Sequence, residues 1–218
     1  MVLRPVSSKE KIIFIFIFLF CLFTQVIPVI RSGLLYDYGI GFWGPNGHDG
    51  IWHLSLINHI SNPLKINLPI FAGETLKNYH PFFDIFIAYL SKITLISSSL
   101  WLFQLFPLIS ASLFLYFSFK LGQKLSGNFS GGIILMLLNS INNSFGWIIT
   151  LFRSKSFSGE SLFWAMQSPS NQLNPPYMLS ILLLLILIYL LSTQNPKKIL
   201  VFLILIFLPI IKVVRARS

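Results

Sequence analysis

The stretch that decides the fold of this chain is its first apolar run, IIFIFIFLFCLFTQVIPVI at residues 12–30. The run contains 19 residues, and at about 1.5 Å rise per residue a helix of this length nearly matches the roughly 30 Å hydrocarbon core of a bilayer. It is too long for a signal peptide, and no small-x-small cleavage site follows it. The run therefore predicts an uncleaved helical anchor in a membrane.

The composition of the whole chain predicts the same class of protein. Of its 218 residues, 55% are hydrophobic, only 10% are charged and 22 are Phe, so a soluble domain with a polar shell is excluded. The net charge of +10 comes from cations scattered beside apolar runs, which the positive-inside rule explains without a nucleic-acid partner. The lone Cys21 rules out a disulfide framework and is expected to be a small buried hydrophobe.

Further apolar runs predict an all-α integral membrane fold, with one domain over residues 1–218 and about five transmembrane helices. The lipid bilayer is therefore the first expected partner, and no protein partner is indicated. The predicted spans lie at residues 12–30, 100–119, 131–149, 175–192 and 199–214.

The distribution of charge orients these spans. Cations collect in the N-terminus and in the turns at residues 120–124 and 197–198, whereas the loops at residues 31–99 and 150–174 hold five of the six acids. By the positive-inside rule, the N-terminus is cytoplasmic and both long loops lie outside. The expected location is the cell membrane, with a multi-pass topology.

The segment at residues 81–96 is apolar but carries Asp84 and Lys92, and a crossing there would invert every later span against the positive-inside rule. Asp84, Ala88, Ser91 and Lys92 follow the i, i+4, i+7, i+8 spacing of one helix face. We therefore expect an interfacial helix with Pro81 at its first position. The alternative is an ordinary span whose two charges face other helices.

Candidate catalytic residues stand in GFWGPNGHDGIWHLSLINHI at residues 41–60. Its glycines indicate irregular backbone, and a helix is expected to begin near His48 or Asp49. Four residues separate Asp49 from His53, so the two side chains share a helix face and can hydrogen-bond as a general base. The alternative is that Asp49 caps the helix and the histidines are interfacial residues.

A metal site is the other chemistry to consider for this loop. The sequence holds four histidines and one nearby acid that could contribute, but no spacing among them matches a zinc signature. The residues in question are His48, Asp49, His53, His59 and His80. No cofactor is therefore predicted, and a divalent metal is retained as the alternative.

Two further regions supply candidate substrate-binding residues. An amide stripe in the third predicted span, which includes Asn139 and Asn142, must face protein or a wet cavity, either for interhelical hydrogen bonds or for substrate contact. In the second outer loop, Arg153 and Lys155 suit a lipid phosphate, although Arg153 suits an interfacial anchor equally. Gln172 lies in the same loop just before the next helix.

Four short motifs carry a resemblance to a known family, namely GHDGIWHL, NYHPFFDIFIAYL, ESLFWAMQS and QLNPPYMLS. Together with the order of the helices, they resemble the N-terminal part of glycosyltransferases of the C superfold, such as protein O-mannosyltransferases and aminoarabinose transferases. They look most like large bacterial multi-spanning membrane proteins that are grouped with this superfold. The resemblance covers most of residues 12–212.

The resemblance implies an inverting transfer of a sugar from a polyprenyl-phosphate donor to an acceptor outside the cytoplasm. The acidic base of the superfold falls on Asp49, with His53 as its orienting partner. The candidate donor or substrate contacts are His48, His80, Asn142, Arg153, Lys155 and Gln172.

The chain departs from this family at its end, because family members continue with more spans and it stops at RARS, just after the span at 199–214. The expectation is therefore an N-terminal fragment, inactive if the donor pocket requires later helices.

Two other classes fit the sequence. One is a transporter or flippase-like protein in which Asp84, Lys92 and residues 139–143 line a path. The other is a non-catalytic membrane fragment.

Overall fold

A computed structural model describes residues 7–60, 62–63, 65–77, 79–141, 146–155 and 167–211, and these are mostly helical. The helices are α1 (Ser8–Val26), α2 (Asp49–His59), α3 (Phe82–Thr94), α4 (Ser98–Ser126), α5 (Phe129–Ile141), α6 (Gly146–Ser154), α7 (Gln167–Ser170), α8 (Pro175–Leu191) and α9 (Lys198–Ile211). Short 3-10 helices lie at Gly44–Gly47 and Asn171–Leu173. A hairpin of β1 (Leu34–Tyr36) and β2 (Gly39–Gly41) completes the elements.

Every predicted span overlaps a helix. The run at 131–149 is shared between α5 and α6, and the others correspond to α1, α4, α8 and α9. Within the described residues, α4 is the one helix that is long and apolar enough to cross a membrane, whereas α5, α8 and α9 are apolar but shorter. The all-α prediction is thus confirmed as a mostly helical chain.

The ends of the helices follow from local capping. Helix α1 begins with a capping box, in which the Ser7 hydroxyl accepts from Glu10 N–H and the Glu10 carboxylate accepts from Ser7 N–H. Helix α4 is capped by the Ser97 hydroxyl, which accepts from Leu100 N–H. Helix α8 follows the expected pattern, since its first residue is Pro175.

Helix α4 is the centre of the bundle, and α1, α5 and α8 all pack against it. Its approach to α5 is closest where Gly122 faces Gly131, because a Cβ built on Gly122 would lie 2.4 Å from the Gly131 carbonyl oxygen. Glycine is therefore required at this crossing. Cys21 is fully buried against Leu115 and Met136, in agreement with the expectation of a small buried hydrophobe.

The hairpin is a feature that the sequence analysis did not predict, since its glycines indicated only irregular backbone. Tyr36 pairs with Gly39 across a two-residue loop, and the chain turns back because Gly39 adopts a φ of +114° that side-chain-bearing residues rarely adopt. This hairpin is tied to α4, where Ser99 Oγ donates to the Gly33 carbonyl.

Several large apolar side chains lie on the surface, and several polar side chains lie in the interior. Large apolar side chains stand exposed along α1 and α9, such as Phe16 at 76% and Ile199 at 79%. Polar side chains are buried instead, including Gln25 of α1, whose amide nitrogen donates to the Ser140 carbonyl 3.0 Å away. Exposed apolar surface on this scale marks contact with lipid or with another protein.

Candidate functional site

The predicted helix of the first long loop begins at Asp49, as expected. His48 occupies the N-cap position without making a side-chain cap hydrogen bond, so Asp49 is the first helical residue and not the cap. The Nδ1 atom of His48 lies 2.9 Å from Oδ1 of Asp49, and the side chains are 94% and 52% exposed. A carboxylate here is favoured by the positive end of the helix dipole and is accessible to a ligand.

His53 has a different partner from the one expected. Its Nδ1 atom lies 2.7 Å from Oδ1 of Asp84 on α3, and the side chains are 6% and 0% exposed. The expectation that Asp49 and His53 form one pair is therefore wrong. The four-residue spacing allows them to share a face, but α3 packs on α2 and presents Asp84 to the imidazole within the interior.

The surroundings of Asp84 are apolar. Phe83 lies next to the imidazole with ring centroids 6.1 Å apart, and Phe83 itself packs on Phe106 of α4 at 4.8 Å. Burial raises the pKa of the Asp84 carboxyl, and the hydrogen bond with His53 opposes that rise. Among the described residues, the Oδ2 atom of Asp84 has no hydrogen-bond partner.

Tyr79 lies beside this buried pair and packs edge-on against Trp52 of α2, with ring centroids 6.0 Å apart. Burial raises the pKa of the Tyr79 phenol well above its ordinary value, and the negative charge of Asp84 adds to the effect. Tyr79 is not among the site residues predicted from the sequence. A signal was present in YHPFFD, which places Tyr79 and Asp84 five residues apart across the start of α3.

Helix α3 carries its polar stripe toward the protein. Asp84 and Ala88 are buried, whereas the apolar side chains of Phe86 and Tyr89 are exposed. The helix begins at Phe82, so Pro81 is its N-cap residue and not, as expected, its first helical residue.

Lys92 makes a second polar contact between α3 and α2. Its Nζ donates to the Ile60 carbonyl at 2.9 Å, at the C-terminal end of α2. A cation at a helix C-terminus is favoured by the dipole. The two helices are thus joined by a polar contact near each end.

The other described site residues in loops are exposed and make no direct polar contact with Asp49. His80 is exposed in the loop before α3, and Arg153 and Lys155 are exposed at and just after the end of α6. No hydrogen bond or ion pair among the described residues joins these three to Asp49 or His53. Asn142 lies outside the described residues.

Gln172 is buried, and its Oε1 atom accepts from Ser110 Oγ of α4 at 3.3 Å, while its Nε2 atom has no partner among the described residues. Asn139 donates from Nδ2 to Ser118 Oγ at 2.8 Å, which favours interhelical hydrogen bonding for that amide. Both amides therefore join a neighbouring segment to α4.

No group of three or more potential metal ligands occurs within the described parts of the chain. The pairs His48 with Asp49 and His53 with Asp84 each offer two ligands.

Comparison with known proteins found no matching family model, curated protein or solved structure.

Proposed function

We propose that this chain is a membrane-embedded inverting glycosyltransferase of the C-superfold type, with Asp49 as its general base. The observation that carries the proposal is the half-exposed carboxylate at the start of α2, in contact with His48. A base must be reachable by the hydroxyl group that it deprotonates. The buried His53 and Asp84 pair does not meet that condition.

The inverted polarity of the surface supports placement in a bilayer. A soluble protein hides apolar side chains, whereas here Phe16 and Ile199 are exposed and Gln25 is buried. Lipid solvates apolar side chains at no cost but cannot satisfy polar ones, which must then bond within the bundle. We therefore retain the predicted spans at residues 12–30, 100–119, 131–149, 175–192 and 199–214.

The charge pattern supports the placement of α3 in the outer interface. A crossing at α3 would invert every later span and place the cations at residues 120–124 and 197–198 outside, against the positive-inside rule. Without a crossing there, α4 runs inward and the hairpin, α2 and α3 share the outer side. Asp49 then faces the compartment in which lipid-linked sugars are transferred.

The chemical step is a single displacement. Asp49 accepts the proton of the acceptor hydroxyl while that oxygen attacks the anomeric carbon of the donor sugar. The bond from this carbon to the phosphate oxygen breaks, and its electron pair leaves with the polyprenyl phosphate. One bond forms and one breaks on opposite faces of the carbon, so its configuration inverts. His48 holds the Asp49 carboxylate in place.

His53 and Asp84 act as positioning residues in this scheme. Their contact holds α2 against α3 one turn after Asp49, and Lys92 joins the far end of α2 to the same helix. This replaces the expectation that His53 orients Asp49 directly. Arg153, Lys155 and His80 stay as the proposed phosphate contacts, because all three are exposed.

The transporter alternative gains no support from these contacts. Asp84 bonds His53, Lys92 bonds the Ile60 carbonyl and Asn139 bonds Ser118. These three path residues thus each have a separate partner.

The test of the base uses the full chain in proteoliposomes with a polyprenyl-phosphate-linked sugar and measures transfer to an acceptor. Asp49→Asn is expected to lower turnover by about 100-fold or more, as loss of a general base does. Asp37→Asn is the control, because Asp37 is an exposed acid in the turn of the hairpin. Equal turnover of the two variants, or no transfer by the unaltered chain, would overturn the proposal.

The topology has its own test, since Cys21 is buried and contributes little background labelling. Asp37→Cys is expected to react with a membrane-impermeant maleimide on intact cells, whereas Lys124→Cys is expected to react only after permeabilisation. The reverse pattern would place Asp49 in the cytoplasm and contradict sugar transfer at the outer face.

A further inference from the structure

The hairpin forms a pocket that the proposed reaction does not use. The pocket has a volume of about 310 Å³ and is lined mainly by aromatic side chains, with one cation and glycine backbone. This volume lies at the small end of the range for ligand sites and is suited to a single ring. The lining includes Arg31, Tyr36, Tyr38, Gly41 and Trp43.

The pocket is held in shape by the chain around it. Tyr36 OH donates to the Arg31 carbonyl at 2.9 Å, and Trp43 N–H donates to Ser32 Oγ at 3.0 Å. The Tyr36 ring lies directly on the backbone of Gly41, where a Cβ would come within 2.5 Å of the ring. Gln104 of α4 then fixes the base of the hairpin, because its Nε2 donates to the Ser32 carbonyl at 2.8 Å.

Arg31 supplies the positive charge of the pocket. The Arg31 guanidinium lies 4.9 Å from the centroid of the Trp43 ring, a cation–π distance. Among the described residues, Arg31 makes no ion pair with an acid. A guanidinium fixed over an aromatic face keeps its forked N–H donors available, and these match the oxygens of phosphate and carboxylate groups.

The aromatic surface of the pocket is flat. The rings of Tyr36 and Tyr38 stack almost parallel, with an interplanar angle of 2° and centroids 5.3 Å apart. Tyr38 is 80% exposed, so a ligand can reach its ring. A flat aromatic ring suits the C–H face of a sugar ring, and the hydroxyl of Tyr38 adds a hydrogen-bonding group at its edge.

We infer that this pocket binds one anionic sugar unit, phosphorylated or carboxylated, with the anion on Arg31 and the ring against the tyrosines. The 3-10 helix Gly44–Gly47 leads from the pocket wall directly into α2. A glycan held there contacts the segment that continues into α2, and its binding does not require that any transfer takes place.

The binding test uses the full chain in nanodiscs of phosphatidylcholine and measures affinity by calorimetry. The probes are glucose 1-phosphate and glucuronate, with glucose and inorganic phosphate as controls. Both anionic sugars are expected to bind more tightly than either control. Arg31→Gln is expected to weaken them by about tenfold or more, because charge-assisted hydrogen bonds are lost. Tyr38→Ala is expected to weaken the sugars but not phosphate.

The matched control is Lys124→Gln, which removes an exposed cation at the far end of α4 and is expected to leave all affinities unchanged. Three results would overturn the inference: equal binding of glucose, equal binding of phosphate alone, or an unchanged affinity in Arg31→Gln. Loss of sugar binding in nanodiscs of phosphatidylglycerol would assign the pocket to a lipid phosphate instead. Because no turnover is measured, failure here is distinguishable from failure of the Asp49 assignment.

Discussion

Replacing the buried carboxylate by its amide, Asp84→Asn, tests the contact between α2 and α3. The side chain is fully buried and its Oδ1 lies 2.7 Å from Nδ1 of His53. Asparagine keeps the volume, so no cavity contributes to the change. Its amide oxygen can still accept from the imidazole, but its NH2 group then occupies the place of Oδ2. That oxygen makes no hydrogen bond among the described residues, and the Tyr79 hydroxyl nearby offers at most a weak neutral acceptor.

The magnitude follows from that unpaired amide. A buried donor without an acceptor costs about 1–3 kcal/mol. We therefore expect a loss of about 2 kcal/mol in the free energy of unfolding. For a chain of this size, the melting temperature falls by about 2–4 °C per kcal/mol, which gives a fall of about 4–8 °C.

The assay is thermal unfolding of the detergent-solubilised chain, followed by tryptophan fluorescence. Asp37→Asn makes the same chemical change at an exposed turn and is expected to stay within about 0.5 kcal/mol of the unaltered chain. The double variant His53→Gln with Asp84→Asn is expected to show a coupling of about 1 kcal/mol or more, because the two side chains are in contact. Equal melting temperatures for Asp84→Asn and Asp37→Asn would refute the reasoning.

Two other predictions concern the ionisation of Tyr79 and the helix crossing at Gly122. The folded-state pKa of Tyr79 lies above its unfolded value of about 10. The contribution of Tyr79 to the free energy of unfolding is therefore fully present below that pH and declines as the pH rises toward the folded-state pKa. In a phenolate absorbance titration, Tyr79→Phe should therefore lose the most alkaline component, and an unchanged curve would contradict this burial. Gly122→Ala should cost about 1–3 kcal/mol by overpacking the helix crossing, whereas Gly47→Ala, whose Cβ would meet nothing within 4 Å, should leave the melting temperature unchanged.

The positions of the helices could be predicted because their signals are local. The apolar runs correspond to α1, α4, α8 and α9, and Pro175 marks the start of α8 as expected. Caps are less well determined by local sequence: three serines stand at residues 97–99 before α4, and the structure uses Ser97 as the cap. The hairpin was missed because its glycines indicate a turn without indicating which strands pair across it.

The pairing at the candidate site depended on tertiary structure. The sequence by itself determined that Asp49 begins a helix, that His53 lies one turn later and that Asp84 belongs to a second helix, because capping and periodicity act over a few residues. It did not determine that His53 turns to Asp84, 31 residues further along the chain. That choice was made by the packing of α3 on α2, because a buried imidazole bonds the polar group that the neighbouring helix places beside it, whereas Asp49 is left exposed next to His48.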